Sequence, residues 1–278
     1  MSDSKSDPRY TMGRSEGETE RLIQQSQLYE AVTLRFFQEA GLVSGMRVLD
    51  VGSGAGDVAM AAAELVGAEG EVVGVDVNAA ILETAQARVS ELGFENIQFI
   101  AGDARTLDVG GDFDAVVGRL VLMYMSDPAE ALKQLTRHLR PGGVVAFQEV
   151  DFTPYVSISR SDTPLMNKLV EWGIAVFQHS GAHTEMGMDL HRTFLDAGLS
   201  APVLHFVAPL GGAESWAGYD FIANAFRSLV PLMEEFGIAT AEEVDVDTLS
   251  DRIREETRVS KRPLLLPPHV TAWARLET

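Results

Sequence analysis

Val48-Leu49-Asp50-Val51-Gly52-Ser53-Gly54-Ala55-Gly56-Asp57 runs a short apolar stretch into a glycine turn, and the turn leads into DVAMAAAELVG, which has helical spacing. Glycine reaches positive φ without a Cβ clash and lets backbone come close to a ligand. The helix start beyond it presents unpaired N–H groups. A strand, a glycine turn and a helix in that order open a ligand-binding α/β domain. The glycines here follow G-x-G-x-G with an acid on either side, whereas dinucleotide-binding turns usually read G-x-G-x-x-G.

Outward from this turn, short apolar runs alternate with helical stretches. EVVGVDV follows, then AAILETAQARVSELG, IQFIAGD, FDAVVGRLVLM, a helix from Pro128 to Leu139, and VVAFQEV. Continuous apolar strands separated by helices predict parallel strands covered on both faces, a doubly wound α/β fold. Asp57, Asn78 and Asp127 stand where helix N-caps are expected, Pro128 takes the first helical position, and Gly93 is placed as a left-handed C-terminal cap. Before the turn, an amphipathic helix is expected over residues 17–40, and residues 1–40 read as a helical lid segment ahead of a core over 41–151. After Asp151 the alternation breaks down. Helices are expected at 162–178, 186–197, 213–236 and 242–258, and strands at 202–209 and 269–276 complete the sheet as an antiparallel pair, so that 152–278 combines sheet completion with helical cap insertions. The whole predicts a Rossmann-like seven-stranded sheet, mostly parallel with an antiparallel end strand.

Composition narrows the function. The formal charge of −19, from 22 Lys plus Arg against 41 Asp plus Glu, repels phosphate backbones and anionic membranes, so neither nucleic acid nor membrane is an expected partner. There is no cysteine, which removes disulfides, thiolate metal sites and thiol nucleophiles. The start of the chain lacks the apolar stretch of a signal peptide and no run is long enough to span a bilayer, so a cytoplasmic location is expected.

At the glycine turn the sequence resembles the class I S-adenosylmethionine-dependent methyltransferases, whose first motif reads (V/I)LD(V/L)GxGxG, and the resemblance covers about residues 45–150 in order. It implies that Asp50, Gly52, Ser53, Gly54 and Gly56 belong to the cofactor loop, with Asp50 either a ligand contact or a loop-organising acid. Asp76, at the end of EVVGVDV, matches the acid that holds the ribose hydroxyls, and Val77 follows it. Gly102-Asp103-Ala104 matches the third-strand motif, in which the acid meets the adenine amino group and the following N–H a ring nitrogen. Phe113 to Val117 and Leu139 to Gly143 match the fourth strand and the turn before the fifth. Arg119 departs from the commonest pattern, and its guanidinium suits the methionine carboxylate, a substrate acid or an exposed ion pair. Tyr10 and Gln25 lie in the segment that often folds over the cofactor, and read equally as helix packing.

The family activity implies in-line methyl transfer to an O, N or C atom of a small-molecule acceptor. A general base is needed only for some acceptors. The candidates are Glu149 and Asp151 in FQEVDF and His179 and His183 in FQHSGAH, with Glu149 and His183 put forward. The two histidines and Glu185 do not make a metal site, since no third ligand position is fixed. Trp172, Phe177, Met186, Met188, Trp216, Tyr219, Phe221, Phe226 and Met233 read either as core or as the lining of an apolar pocket. A homodimer is compatible with this reading. The rival readings are an NAD(P)-dependent oxidoreductase and a non-catalytic module that binds S-adenosylmethionine.

Overall fold

The computed structural model describes residues 16–154 and 162–277, and side chains from residue 28 onward. Tyr10 lies outside the described residues, as does the side chain of Gln25. The chain opens with a long helix, α1 (Glu16–Ala40). Strands β1 (Arg47–Val51), β2 (Glu71–Asp76), β3 (Ile97–Ala101), β4 (Phe113–Arg119) and β5 (Leu139–Val150) then alternate with α2 (Asp57–Val66), α3 (Ala79–Glu91) and α4 (Pro128–Thr136). After β5 come α5 (Pro164–His179), α6 (Met186–Asp196), β6 (Val203–Val207), the short β7 (Leu210–Gly211), α7 (Gly218–Glu235), α8 (Ala241–Val244), α9 (Val246–Ser260), β8 (Leu264–Leu265) and β9 (His269–Arg275).

The sheet order is β3-β2-β1-β4-β5-β9-β6. The first five strands are parallel, and β9 runs antiparallel to both β5 and β6. The seven-stranded, mostly parallel sheet expected from the sequence is the one observed, with the antiparallel strand last in the chain and second from the edge. β1 and β4 are adjacent although they are not consecutive, so the strand order reverses between them. Open α/β sheets bind ligands in the crevice at such a switch, beyond the carboxyl ends of the strands.

Strand alternation divides the core. Leu49, Val51, Phe113, Val116 and Phe147 pack beneath α4 and α6, while Val48, Ala115, Val117 and Ala146 face α1 and α2 through Phe36, Phe37, Val58 and Ala62. A third cluster joins α5, α7 and α9 to Tyr29 of α1. Met186, Tyr219, Phe221, Phe226 and Met233 are buried in these clusters, so their aromatic and Met stripes are core packing, and the exposed Met188 stands apart from them. β5 begins earlier than the apolar run suggests. Leu139 pairs with Phe113 and Val144 with Ala115, so the Arg140 to Gly143 segment bulges inside a strand. Among the described residues no helix is long and apolar enough to cross a membrane, and no group of His, Asp and Glu is arranged to hold a metal ion.

Gly74 sits at the centre of β2, opposite Phe99 of β3. A Cβ there would come within 2.5 Å of the Phe99 ring and 2.6 Å of the Ser53 hydroxyl. Overpacking of this kind typically costs about 1–3 kcal/mol. Gly74→Ala is therefore expected to lower unfolding free energy by that amount in urea titrations. An unchanged midpoint would mean that the glycine loop does not pack on β2 as described.

Candidate cofactor site at the sheet's switch point

Gly52, Gly54 and Gly56 adopt left-handed φ values of 67, 52 and 87°. This folds the turn back onto β2, where the Gly52 and Ser53 N–H groups both donate to the Val75 carbonyl, at 2.8 and 3.0 Å. Gly54 N–H donates to Asp76 Oδ2 at 2.9 Å, and Asn78 N–H donates to Asp76 Oδ1 at 2.8 Å. Asp76 therefore ties the β1 turn to the start of α3. A carboxylate carries about four lone-pair sites, so both oxygens keep capacity for hydroxyl donors. Val77, beside it, is 69% exposed.

Asp57 is not the N-cap that the sequence suggests. Left-handed Gly56 takes the cap position, and Asp57, in the first turn of α2, pairs with Arg88 at 2.8 Å. The same guanidinium donates to the Ala55 carbonyl, so α3 braces the turn from outside. Asn78 and Asp127 do cap their helices, accepting from Ala80 N–H and Glu130 N–H.

Asp50 and Ser53 lie under the turn and are almost wholly buried. Among the described residues neither Asp50 oxygen nor Ser53 Oγ finds a hydrogen-bond partner of good geometry. Burial pushes the Asp50 carboxyl up from 3.8 to about 7, with the neighbouring Ser53 hydroxyl and Arg119 guanidinium opposing and Asp76 and Asp57 adding to the rise. Buried polar groups are nearly always satisfied, so this pair marks a place built to meet a polar group.

Across the crevice, Asp103 follows β3 and binds Arg105 through its backbone N–H at 2.9 Å and its guanidinium at 2.7 Å. Ala104 is buried, its carbonyl accepting from His138 Nε2 at 2.9 Å. Arg119 ends β4 and donates to Thr33 Oγ1 of α1 at 3.2 Å. Leu120 then takes a left-handed φ of 57° and turns the chain sharply. A Cβ on Gly52 would come within 2.4 Å of Val121, so the β1 and β4 turns can touch only because residue 52 is glycine.

Glu149 is the main departure from the sequence reading. It was expected at the cleft as a general base, but it is fully buried, and its two oxygens accept from the backbone N–H groups of Val121, Leu122 and Met123 at 2.9, 2.8 and 3.4 Å. The reason lies in alternation: Gln148 and Glu149 point to opposite faces of β5, and Glu149 falls beneath the β4 turn. Its carboxyl rises from 4.5 to about 7 because burial outweighs the three N–H donors. Asp151 is likewise engaged, accepting from Thr153 and Met188 N–H at 2.9 and 2.7 Å. His179 donates through Nδ1 to the Ala175 carbonyl at 2.7 Å and stacks on Phe236. His183 lies in the loop after α5 and is fastened to the β4 turn, with its backbone N–H on Met123 O and Nε2 on Met125 O, both 2.9 Å. A carbonyl can only accept, so Nε2 carries a proton, and in the neutral ring the lone pair is on Nδ1.

Sequence reasoning missed a buried polar group made of Tyr29, Thr33, Gln148, His269 and Thr271. Only isolated polar letters within α1 and two apolar strands mark it, and α1, β5 and β9 come from distant parts of the chain. Arg88 and Arg105 were missed for the same reason, as charges without a local pattern.

Residues 42–198, over half of the chain, match the family described as a methyltransferase domain. The chain belongs to the class I S-adenosylmethionine-dependent methyltransferases. Within this family, the ubiquinone/menaquinone biosynthesis C-methyltransferase UbiE of Coxiella burnetii is 41% identical over 110 residues, 39% of this chain and 44% of that protein. The methyltransferase thus spans less than half the length of these curated relatives. An arsenite methyltransferase of Aquipseudomonas alcaligenes is 35% identical over 137 residues, covering 45% of this chain and 40% of that one. A Haemonchus contortus phosphoethanolamine N-methyltransferase 2, solved with S-adenosyl-L-methionine, has the same fold, with a TM-score of 0.58 at 17% identity over 94% of this chain and 57% of that chain.

Asp50 and Glu149 hold their protons to about pH 7 when folded, against ordinary values of 3.8 and 4.5. Between these limits the folded protein binds more protons than the unfolded chain, so stability falls as pH rises from about 4 to 7. Thermal melts without ligand are expected to show that decline, and Asp50→Asn is expected to remove part of it. A slope as steep in the variant as in the parent would rule out Asp50 as a contributor.

Proposed function

We propose that this methyltransferase holds S-adenosylmethionine across the β1 to β4 switch and methylates an O, N or C atom of a small organic metabolite. The observation that carries the reading is the Asp50 carboxylate and neighbouring Ser53 hydroxyl, buried with no partner of good geometry among the described residues, beneath a turn whose three glycines are left-handed. That arrangement fits a polar ligand seated on backbone. In this reading the turn from Gly52 to Gly56 lies against the sulfonium end, Asp76 accepts the ribose hydroxyls, Val77 packs on the adenine, and Asp103 and the Ala104 N–H read its edge. Arg119 takes the carboxylate of the amino-acid end and Asp50 its ammonium. An ammonium beside Asp50 favours the ionised carboxylate, which offsets the effect of burial.

When bound, the cofactor supplies an electrophilic methyl group on a sulfonium. The chain then has to align the acceptor behind that methyl and exclude water. Glu149 pins the β4 turn through three backbone N–H groups, so it would act on the shape of the site and not on a proton. His183 is the remaining candidate base, through Nδ1, for acceptors that must lose a proton. The relatives named above act on carbon, nitrogen and arsenic centres, but a thiophilic arsenite acceptor is disfavoured here because the chain has no cysteine to bind it. The net charge of −19 supports a free small-molecule acceptor over nucleic acid.

S-adenosylhomocysteine is expected to raise the melting temperature and NADH to leave it unchanged. Asp76→Ala removes the anchor of Gly54 together with the ribose acceptor, and charge-assisted bonds are worth about 1.5–3 kcal/mol each, so calorimetric affinity should fall roughly 10- to 150-fold. Gly54→Val forces a branched side chain into a left-handed turn and is expected to do at least as much. Full affinity in both variants would remove the site from the β1 turn.

A further inference from the structure

Asp50, Arg119, Gln148 and Thr271 form a polar row across four neighbouring strands, near the carboxyl ends of the parallel ones. In register, Asp50 pairs with Val117, two residues before Arg119; Arg119 pairs with Gln148; and Gln148 pairs with Thr271. Paired residues share a face, and these side chains lie on the one covered by α1. Val48, Val117, Ala146 and Phe36 supply an apolar surround on the same face.

The row continues as a chain of hydrogen bonds. His269 Nδ1 accepts from Gln148 Nε2 at 2.7 Å, which leaves Gln148 Oε1 facing Thr33, whose hydroxyl lies 3.0 Å away. Thr33 Oγ1 in turn accepts from Arg119 Nη1 at 3.2 Å. The His269 ring is itself fixed, stacked on Tyr29 with centroids 4.1 Å apart and planes 9° from parallel, while the Tyr29 hydroxyl donates to the Pro267 carbonyl at 2.8 Å. Four of these five side chains are essentially inaccessible to solvent, and hydrophobic residues of similar size would fill the space at lower desolvation cost. The Thr33 hydroxyl has a single proton to share between Gln148 Oε1 and the Tyr29 carbonyl, 3.1 Å away, while its lone pairs receive the Arg119 guanidinium. An amide nitrogen can only donate, so with Gln148 Nε2 toward the ring His269 presents a lone pair on Nδ1.

We propose that His269, Gln148 and Thr33 are positioning residues that hold the Arg119 guanidinium in the orientation needed to grip the carboxylate of the cofactor's amino-acid end. The inference rests on the assignment of Arg119 made above and extends it to three residues that touch no ligand. Its sense matches the electrostatics: burial, aided by the nearby Arg119 charge, holds His269 down at about 3, so the imidazole stays a neutral acceptor throughout the working range. Tyr29 and Arg119 are the titratable groups that face it. It also links α1 to the ligand, since Thr33 connects that helix to the strand ends.

Two ligands separate positioning from structure. S-adenosylhomocysteine has the amino-acid end, and 5′-methylthioadenosine has the same adenosyl thioether without it. Calorimetry on the full chain is expected to show that Thr33→Val and His269→Phe each weaken S-adenosylhomocysteine about tenfold and leave methylthioadenosine unchanged, with Thr33→Ser restoring the parent affinity. In an Arg119→Ala background the same substitutions should cost little more, because they act through that residue. Equal losses for both ligands, or losses that add fully to that of Arg119→Ala, would overturn the relay. If Arg119→Ala itself left the preference for S-adenosylhomocysteine intact, the carboxylate assignment would fall and the relay with it. A parent protein that binds neither ligand would refute the functional reading as a whole.

Discussion

The Asp76 carboxylate holds the two turns on which the rest of the site depends. With one oxygen on the Gly54 N–H and the other on the Asn78 N–H, it sets the left-handed turn after β1 against the start of α3. The turn can fold there only because glycines at 52, 54 and 56 tolerate positive φ, and because β2 carries a glycine at 74 where a larger residue would strike Ser53 and Phe99. Backbone conformation, a missing side chain on the neighbouring strand and one carboxylate together define a concave surface at the switch in strand order.

The site departs repeatedly from what a stable core would choose. Asp50, Ser53 and Thr271 are buried without partners among the described residues, Glu149 sits in the core with its carboxyl raised to about 7, and Leu120 holds a left-handed conformation disfavoured for side chains beyond Cβ. Each of these features carries a free-energy cost, and they cluster along the carboxyl edge of the sheet. Strain and unmet polar groups collected in one place are the usual sign of a surface shaped by ligand binding. The remaining strand residues follow ordinary packing rules, with Val, Ala, Leu and Phe dividing between the two faces.

Glu149 and Arg119 show how strand alternation assigns opposite duties to neighbouring charges. Arg119 and Gln148 pair across β4 and β5 and face α1, whereas Glu149 points to the other side and accepts the N–H groups of the turn that follows β4. The acid that looks most like a base therefore serves as an internal N–H acceptor for a tight turn. His183 is clipped to the same turn by Met123 and Met125, so that α5 and β4 are coupled near the proposed site.

Much of the fold was legible in the linear sequence because its signals are local. Apolar runs such as Val48–Val51 and Val72–Val75 specify buried strands, Asn78 and Asp127 specify helix starts, and the glycine spacing specifies the turn, each within a few residues. The positions of Asp50, Asp76, Asp103 and Arg119 near the carboxyl ends of β1 to β4 were legible for the same reason, since each belongs to or follows a recognisable strand. The tertiary structure alone decided that Asp57 pairs with Arg88, that Glu149 is turned away from the cleft, and that Thr33, Gln148 and His269 meet. These outcomes depend on strand register and on contacts between residues more than a hundred positions apart for the last group, and no short-range pattern encodes which face of a distant strand a polar side chain will share.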